Sequence, residues 1–214
     1  MYAKIVFAAL SCSLLAVAAN AADNASSQLG KPKTSRVSRP AMSSVVLPTD
    51  AKSGPVFMQS YSRDCALAIA VNPLTGQIER KDSPVPGMAI TLVFNPKDRK
   101  MEKPFMASKP GHAVAGAYDE KAEKVQYFES SKEGLGIAAV YNPEAKAVEK
   151  RESKAPGHSV VGYYDHVKKM VIWKESPEKG QIGVVDPLTK KIMWKKTDME
   201  GHGIAGVFAT SVNK

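Results

Sequence analysis

The chain is poor in cysteine, in helical periodicity and in long apolar runs, and each shortage excludes something. Its 214 residues hold two cysteines, Cys12 and Cys65. Cys12 lies in an N-terminal apolar run, which leaves Cys65 alone in the remainder. One cysteine makes no internal disulfide, so a packed core must hold the fold together. Cys65 itself reads as a small buried hydrophobe rather than a reactive thiol.

No run beyond the first 21 residues approaches the roughly 18 apolar residues that a membrane-spanning helix needs. No segment keeps an i, i+3, i+4, i+7 apolar face, and Pro or Gly recurs too often for helices to form. Missing too are a G-x-S-x-G elbow, an H-E-x-x-H pair, a phosphate-binding glycine loop and a dinucleotide fingerprint. The acids sit in turns or beside lysines, not in opposed apolar-flanked pairs suited to glycoside hydrolysis. The reading is therefore non-enzymatic, with no cofactor.

What is present begins with "MYAKIVFAALSCSLLAVAANAA". Lys4, the apolar run and the small residues Ala19-Asn20-Ala21 predict a signal peptide over residues 1–21 and a secreted or periplasmic location. Residues 22–64 are rich in Ser, Lys, Pro and Gly without apolar periodicity and predict a flexible basic leader. Asn24-Ala25-Ser26 in that leader fits a glycosylation sequon. Residues 65–214 form the third segment, a repeat domain.

The repeat is the dominant feature. Turn signals start at Asn72, Asn95, Asp119, Asn142, Asp165 and Asp186, at intervals of 23, 24, 23, 23 and 21. An Asn or Asp side chain can hold the N–H groups just ahead of it, and the Pro that follows in four of the six has φ preset for a type I turn. Each signal is a chain reversal between two strands. The first strand, as in "SVVGYYD", is apolar or small on both faces and predicts burial on both sides. The second, as in "AVEKRES", is charged and predicts an outer, solvated strand whose charge discourages edge pairing.

Junctions between hairpins share a Ser or Asp and then a Gly about four residues later, where a positive φ is expected. Histidine follows that glycine at His112, His158 and His202, spaced by 46 and 44 residues. Pairs of hairpins thus form units of roughly 45 residues, and a last strand from Gly203 starts a hairpin that the downstream sequence does not complete. Pairing of that strand near Cys65 removes exposed edges. The predicted fold is all-β: a closed array of about six antiparallel hairpins, barrel-like or threefold, with a small β-propeller or an open hairpin solenoid as alternatives.

Two sets of residues carry candidate chemistry. His112, His158 and His202 either bond backbone carbonyls at their turns or bind a small ligand or metal, although their spacing lacks the short separation of ordinary metal ligands. His166 lies in a turn and reads as solvated. Tyr127, Trp173 and Trp194 stand beside basic residues on outer strands, where a ring can stack on sugars or bases while lysine meets an anion. The favoured alternative is that these rings cover the hydrophobic edge of the inner strands, with at least one of Trp173 and Trp194 expected in the core.

The full chain carries 30 Lys and Arg against 21 Asp and Glu, a formal +9, and removal of Lys4 with the signal peptide leaves +8. Such a protein is drawn to anionic surfaces. The partner expected first is an anionic polysaccharide or cell-surface component, recognised in a lectin-like manner at several equivalent sites. A protein partner, met as an inhibitor, adhesin or virulence factor, is the alternative, with the loop at Phe105 and Met106 as its candidate contact. Nucleic acid ranks below both, and ligand binding through the three histidines stands as a third reading.

Overall fold

The computed structural model describes residues 43–45, as backbone only, and 53–209. The expected signal peptide, the sequon and most of the leader lie outside the described residues. Among those described there are strands and turns and no helix. In chain order the strands are β1 (Ser43–Val45), β2 (Gly54–Arg63), β3 (Leu67–Val71), β4 (Ile78–Asp82), β5 (Ile90–Thr91), β6 (Phe94–Asn95), β7 (Lys100–Met101), β8 (Phe105–Met106), β9 (Val114–Asp119) and β10 (Lys124–Glu129). They continue as β11 (Ile137–Asn142), β12 (Ala147–Glu152), β13 (Val160–Asp165), β14 (Met170–Glu175), β15 (Gln181–Val185), β16 (Ile192–Lys196) and β17 (His202–Ala209).

All pairing is antiparallel. β3 pairs with β4, β9 with β10, β11 with β12, β13 with β14 and β15 with β16. One hairpin is broken into two short ladders, β5 with β8 and β6 with β7. The final strand does not stay single. β17 pairs with β2, from Ala209 opposite Gly54 to His202 opposite Arg63. Its partner is the stretch just before Cys65, so a segment that composition grouped with the leader is a ten-residue strand. Farther upstream, β1 adds to the outer edge of β4.

The turns explain the hairpins. Asn142 Oδ1 accepts the N–H groups of Glu144 at 3.0 Å and Ala145 at 3.2 Å, and Asp119 and Asp165 hold the same two positions in their own turns. Four residues past each Asn or Asp the chain goes left-handed: Gly76, then Arg99, Glu123, Lys146, Lys169 and Lys190, with φ from 50° to 71°. Only the first of these turns uses glycine where an L side chain is disfavoured.

The inner strands are buried as their two-sided apolar pattern predicts, with Leu67, Val114, Ile137 and Ile182 fully enclosed. Each such side chain contributes about 1.5–3 kcal/mol relative to exposure. β3 lies against β5, β5 against β9, β9 against β11, β11 against β13, β13 against β15, β15 against β17, and β17 against β3. Outer strands are partly solvated, β12 most clearly.

The junction glycines tie successive hairpins together. Gly87, Gly111, Gly134, Gly157, Gly180 and Gly201 all have φ between 73° and 85°. The Gly111 N–H donates to the Gly87 carbonyl at 2.9 Å, and Gly134, Gly157 and Gly180 each donate to the preceding junction glycine at 2.8 Å. Asp64, at φ 58°, takes the place of a glycine in this chain. It donates to Gly201 at 2.6 Å and accepts from Gly87 at 2.7 Å.

Candidate functional site

The junction histidines stand on a serine frame. Ser130 Oγ accepts the Ala113 N–H at 3.0 Å and donates to the Lys132 carbonyl at 3.0 Å, pinning the end of one hairpin to the start of the same hairpin's inner strand. Ser153, Ser176 and Ser60 repeat the arrangement. Against this frame, His112 Nδ1 meets the Ser130 carbonyl at 2.8 Å, His158 Nδ1 the Ser176 carbonyl at 2.8 Å, and His202 Nδ1 the Ser60 carbonyl at 2.9 Å. A carbonyl only accepts, so Nδ1 carries the proton and Nε2 is left as the acceptor of the neutral ring. Each imidazole thus serves its own junction. The structure does not bring the three together, and no group of three His, Cys, Asp or Glu suited to a metal occurs among the described residues.

Cys65 occupies the same place as these histidines, directly after the left-handed Asp64. It is free and half-buried. Burial, with Asp82 and Asp64 nearby, pushes its thiol pKa up, which disfavours the thiolate.

The outer-strand acids do more than pair with neighbouring lysines. Glu129 accepts Ser108 Oγ at 2.8 Å, the Ser108 N–H at 3.1 Å and the Lys109 N–H at 3.3 Å, all from the preceding junction. Glu152 caps Ser131 through its N–H at 2.7 Å and Oγ at 2.6 Å, and Glu175 caps the Lys154 N–H at 3.0 Å. Each carboxylate reaches back 21 residues, a register that charge patterning does not reveal. Partial burial pushes the Glu129 carboxyl up, but the Ser108 and Lys109 hydrogen bonds, with His112 nearby, outweigh it and hold its pKa below the usual range.

The aromatic set shares one cross-strand position. Tyr127 faces Gly116, Trp173 faces Gly162, Trp194 faces Gly183 and Phe57 faces Gly206. The rings lie over the glycines so closely that a Cβ at Gly116 would sit 2.8 Å from Tyr127 Cδ1 and 2.7 Å from Val93 Cγ2 of the adjacent hairpin. Neither tryptophan enters the core. Both remain half-buried because the glycine gives the ring a seat on the hairpin face instead of a slot between strands, and Lys174, Lys195 and Lys196 beside them are exposed.

Tyr127 stacks on Phe105 with centroids 4.7 Å apart and planes 12° from parallel. Burial, with Glu102 nearby, pushes its phenol pKa up to about 12. Phe105 also packs on Ala89, Ala107 and Val114, so the Phe105 loop is not a free apolar contact. The two most exposed large apolar side chains among the described residues sit instead at turn tips, Val167 at 92% exposure and Leu188 at 87%. His166 is exposed, with its ring edge-on to Tyr164 at 4.9 Å.

In the β3–β4 hairpin the aromatic position belongs to Arg80, opposite Ile69. Its guanidinium makes two 2.9 Å hydrogen bonds to the Asp82 carboxylate and a third to the Gln59 carbonyl, at 5% exposure, and lies 3.4 Å from the centre of the Tyr61 ring. No protein-family model, curated protein or solved structure matches the chain.

Proposed function

We propose that this is an exported, non-catalytic binding scaffold in which seven hairpins close in a ring and the outer strands recognise an anionic glycan or similar cell-envelope polymer. The ring reading rests on the succession of inner-strand contacts that returns from β17 to β3, on the β17–β2 ladder, and on the junction bonds through Asp64. Hairpins packed face to face about one axis amount to a propeller with two-stranded blades, in which only short outer edges remain.

The observation that carries the binding reading is the repetition of one surface. On the consecutive hairpins β13–β14 and β15–β16, a half-buried indole lies over a glycine at the same register, with exposed lysine next to it in sequence. A ring held in this way presents a fixed face to a sugar, while the lysine meets carboxylate, sulfate or phosphate. Lys150, 5.1 Å from the centre of the Phe128 ring, places cation and ring together on the β9–β12 side as well. Equivalent weak contacts reinforce one another on a polymer.

The test is a binding screen of the full chain against immobilised glycans and anionic polymers at low and high salt, with Trp173→Ala/Trp194→Ala alongside. Salt-resistant binding to one polymer class, lost in that variant at temperatures well below its melting point, supports the reading. Binding that collapses with salt on every polyanion, or that ignores both tryptophans, overturns it.

A further inference from the structure

The turn tips are not equivalent around the molecule. The tips of β6–β7, β9–β10 and β11–β12 mix charges of both signs, as in Asp98 and Arg99, Glu120 and Lys121, and Glu144 and Lys146. At β13–β14 and β15–β16 the apolar side chains of Val167 and Leu188 project instead, almost fully exposed. Lys168, Lys169 and Lys191 flank them and are exposed, and Lys190 is half-buried.

The two hairpins are neighbours. β13 lies against β15, and Lys190 reaches from the β15–β16 turn to within 6.0 Å of the Tyr163 ring on β13. Their acids, Asp165 and Asp186, are engaged within their own turns: Asp165 accepts the Lys168 and Val167 N–H groups, and Asp186 accepts the Thr189 hydroxyl at 2.7 Å and the Leu188 and Thr189 N–H groups, which with Lys190 nearby holds both carboxyl pKa values below the usual range. On one side the sector ends at Glu144, 3.4 Å from the Tyr164 hydroxyl.

We infer that this pair of turns is a docking surface for an anionic phospholipid bilayer. Val167 and Leu188 enter the headgroup–acyl boundary, and the lysines face lipid phosphates. The chemistry favours a bilayer over a protein. The apolar side chains are single exposed projections flanked by cations, and a fluid interface takes such projections without complementary shape. The local excess of lysine matches the negative potential of anionic lipid. The surface is separate from the outer-strand faces assigned to polymer binding, so each stands or falls alone.

The experiment is co-sedimentation of the full chain with vesicles of phosphatidylcholine alone and with an equimolar mixture of phosphatidylcholine and phosphatidylglycerol. Binding to the mixed vesicles only is expected. Val167→Ser/Leu188→Ser, which leaves charge unchanged, should weaken it about tenfold. Lys168→Gln/Lys191→Gln should weaken it and reduce its salt dependence, whereas Lys121→Gln/Lys124→Gln, an equal charge loss on β9–β10, should leave it at the wild-type level. Absence of binding to the mixed vesicles, wild-type binding by Val167→Ser/Leu188→Ser, or equal loss in the two lysine variants overturns the proposal. All six positions are exposed, so these variants test the surface and not the fold.

Discussion

Trp194 sits on Gly183 across the β15–β16 ladder with no room for a methyl group between them: a Cβ at Gly183 would come within 2.6 Å of both Trp194 Cζ3 and Val161 Cγ2. Gly183 is therefore fixed by a ring on its own hairpin and a valine on the next. Gly183→Ala should destabilise the protein by about 1–3 kcal/mol, the usual cost of overpacking. Denaturant unfolding checks this, and a pairing with Trp194→Ala isolates the contact. Recovery of part of the loss in the double variant is the expected sign that the two residues clash directly.

The left-handed residue of each turn offers the opposite effect. Lys169 has φ 54° and an exposed side chain, so it is strained by its Cβ. The strain is about 1–2 kcal/mol, and the added freedom of glycine in the unfolded chain takes back about 0.5–1 kcal/mol. Lys169→Gly should thus raise stability by up to about 1 kcal/mol, read as a higher denaturant midpoint with an unchanged slope. The same change at Gly76's counterpart Lys146 should behave alike.

If the histidines are junction hinges, their loss must appear in stability. His112→Ala, His158→Ala and His202→Ala each remove one hydrogen bond to a backbone carbonyl, worth about 0.5–1.5 kcal/mol. They lie on separate hairpins, so the triple variant should lose the sum of the three. A triple variant that melts like the wild type but binds less ligand would return them to the list of binding residues.

Much of this architecture is legible in the chain. The Asn and Asp turns declare themselves because the capping side chain, the proline and the left-handed position are all local, and the buried strands show because both faces are apolar. β2 is hidden for a physical reason. Its junction, Ser60 to Asp64, has the serine of the repeat but Asp in place of glycine, and its hairpin partner lies at the other end of the chain, so no turn marks the pairing. The reach of Glu129 to Ser108 and the seat of Trp173 over Gly162 depend on how hairpins pack, which period alone does not specify.

Acid should expose the carboxylate caps. The folded-state pKa of Glu129 lies below its ordinary 4.5, so its contribution is fully present above that value and is lost as pH falls toward the folded pKa. Glu129→Gln should lower stability at neutral pH and flatten the fall in melting temperature below about pH 4.5. A wild-type slope in that variant would mean that the Ser108 cap does not contribute to acid sensitivity.

Among the described residues Arg80 is the one buried cation, and both Asp82 oxygens, the Gln59 carbonyl and the Tyr61 ring hold it. It joins β4 to β2, the strand that receives the C-terminal β17, so it couples the first hairpin to the ladder made by the two ends of the described chain. Removing the guanidinium leaves Asp82, at 12% exposure, without its main counter-ion, which costs about 3–5 kcal/mol. Arg80→Ala should fall in that range. Arg80→Lys should recover only part of it, because an ammonium cannot make the two-pronged contact and also span to Gln59. If lysine restores full stability, point charge alone holds the site and the planar geometry is incidental. If it does not, hydrogen exchange should show β2 and β17 opening together in the lysine variant while β11 and β13 stay protected.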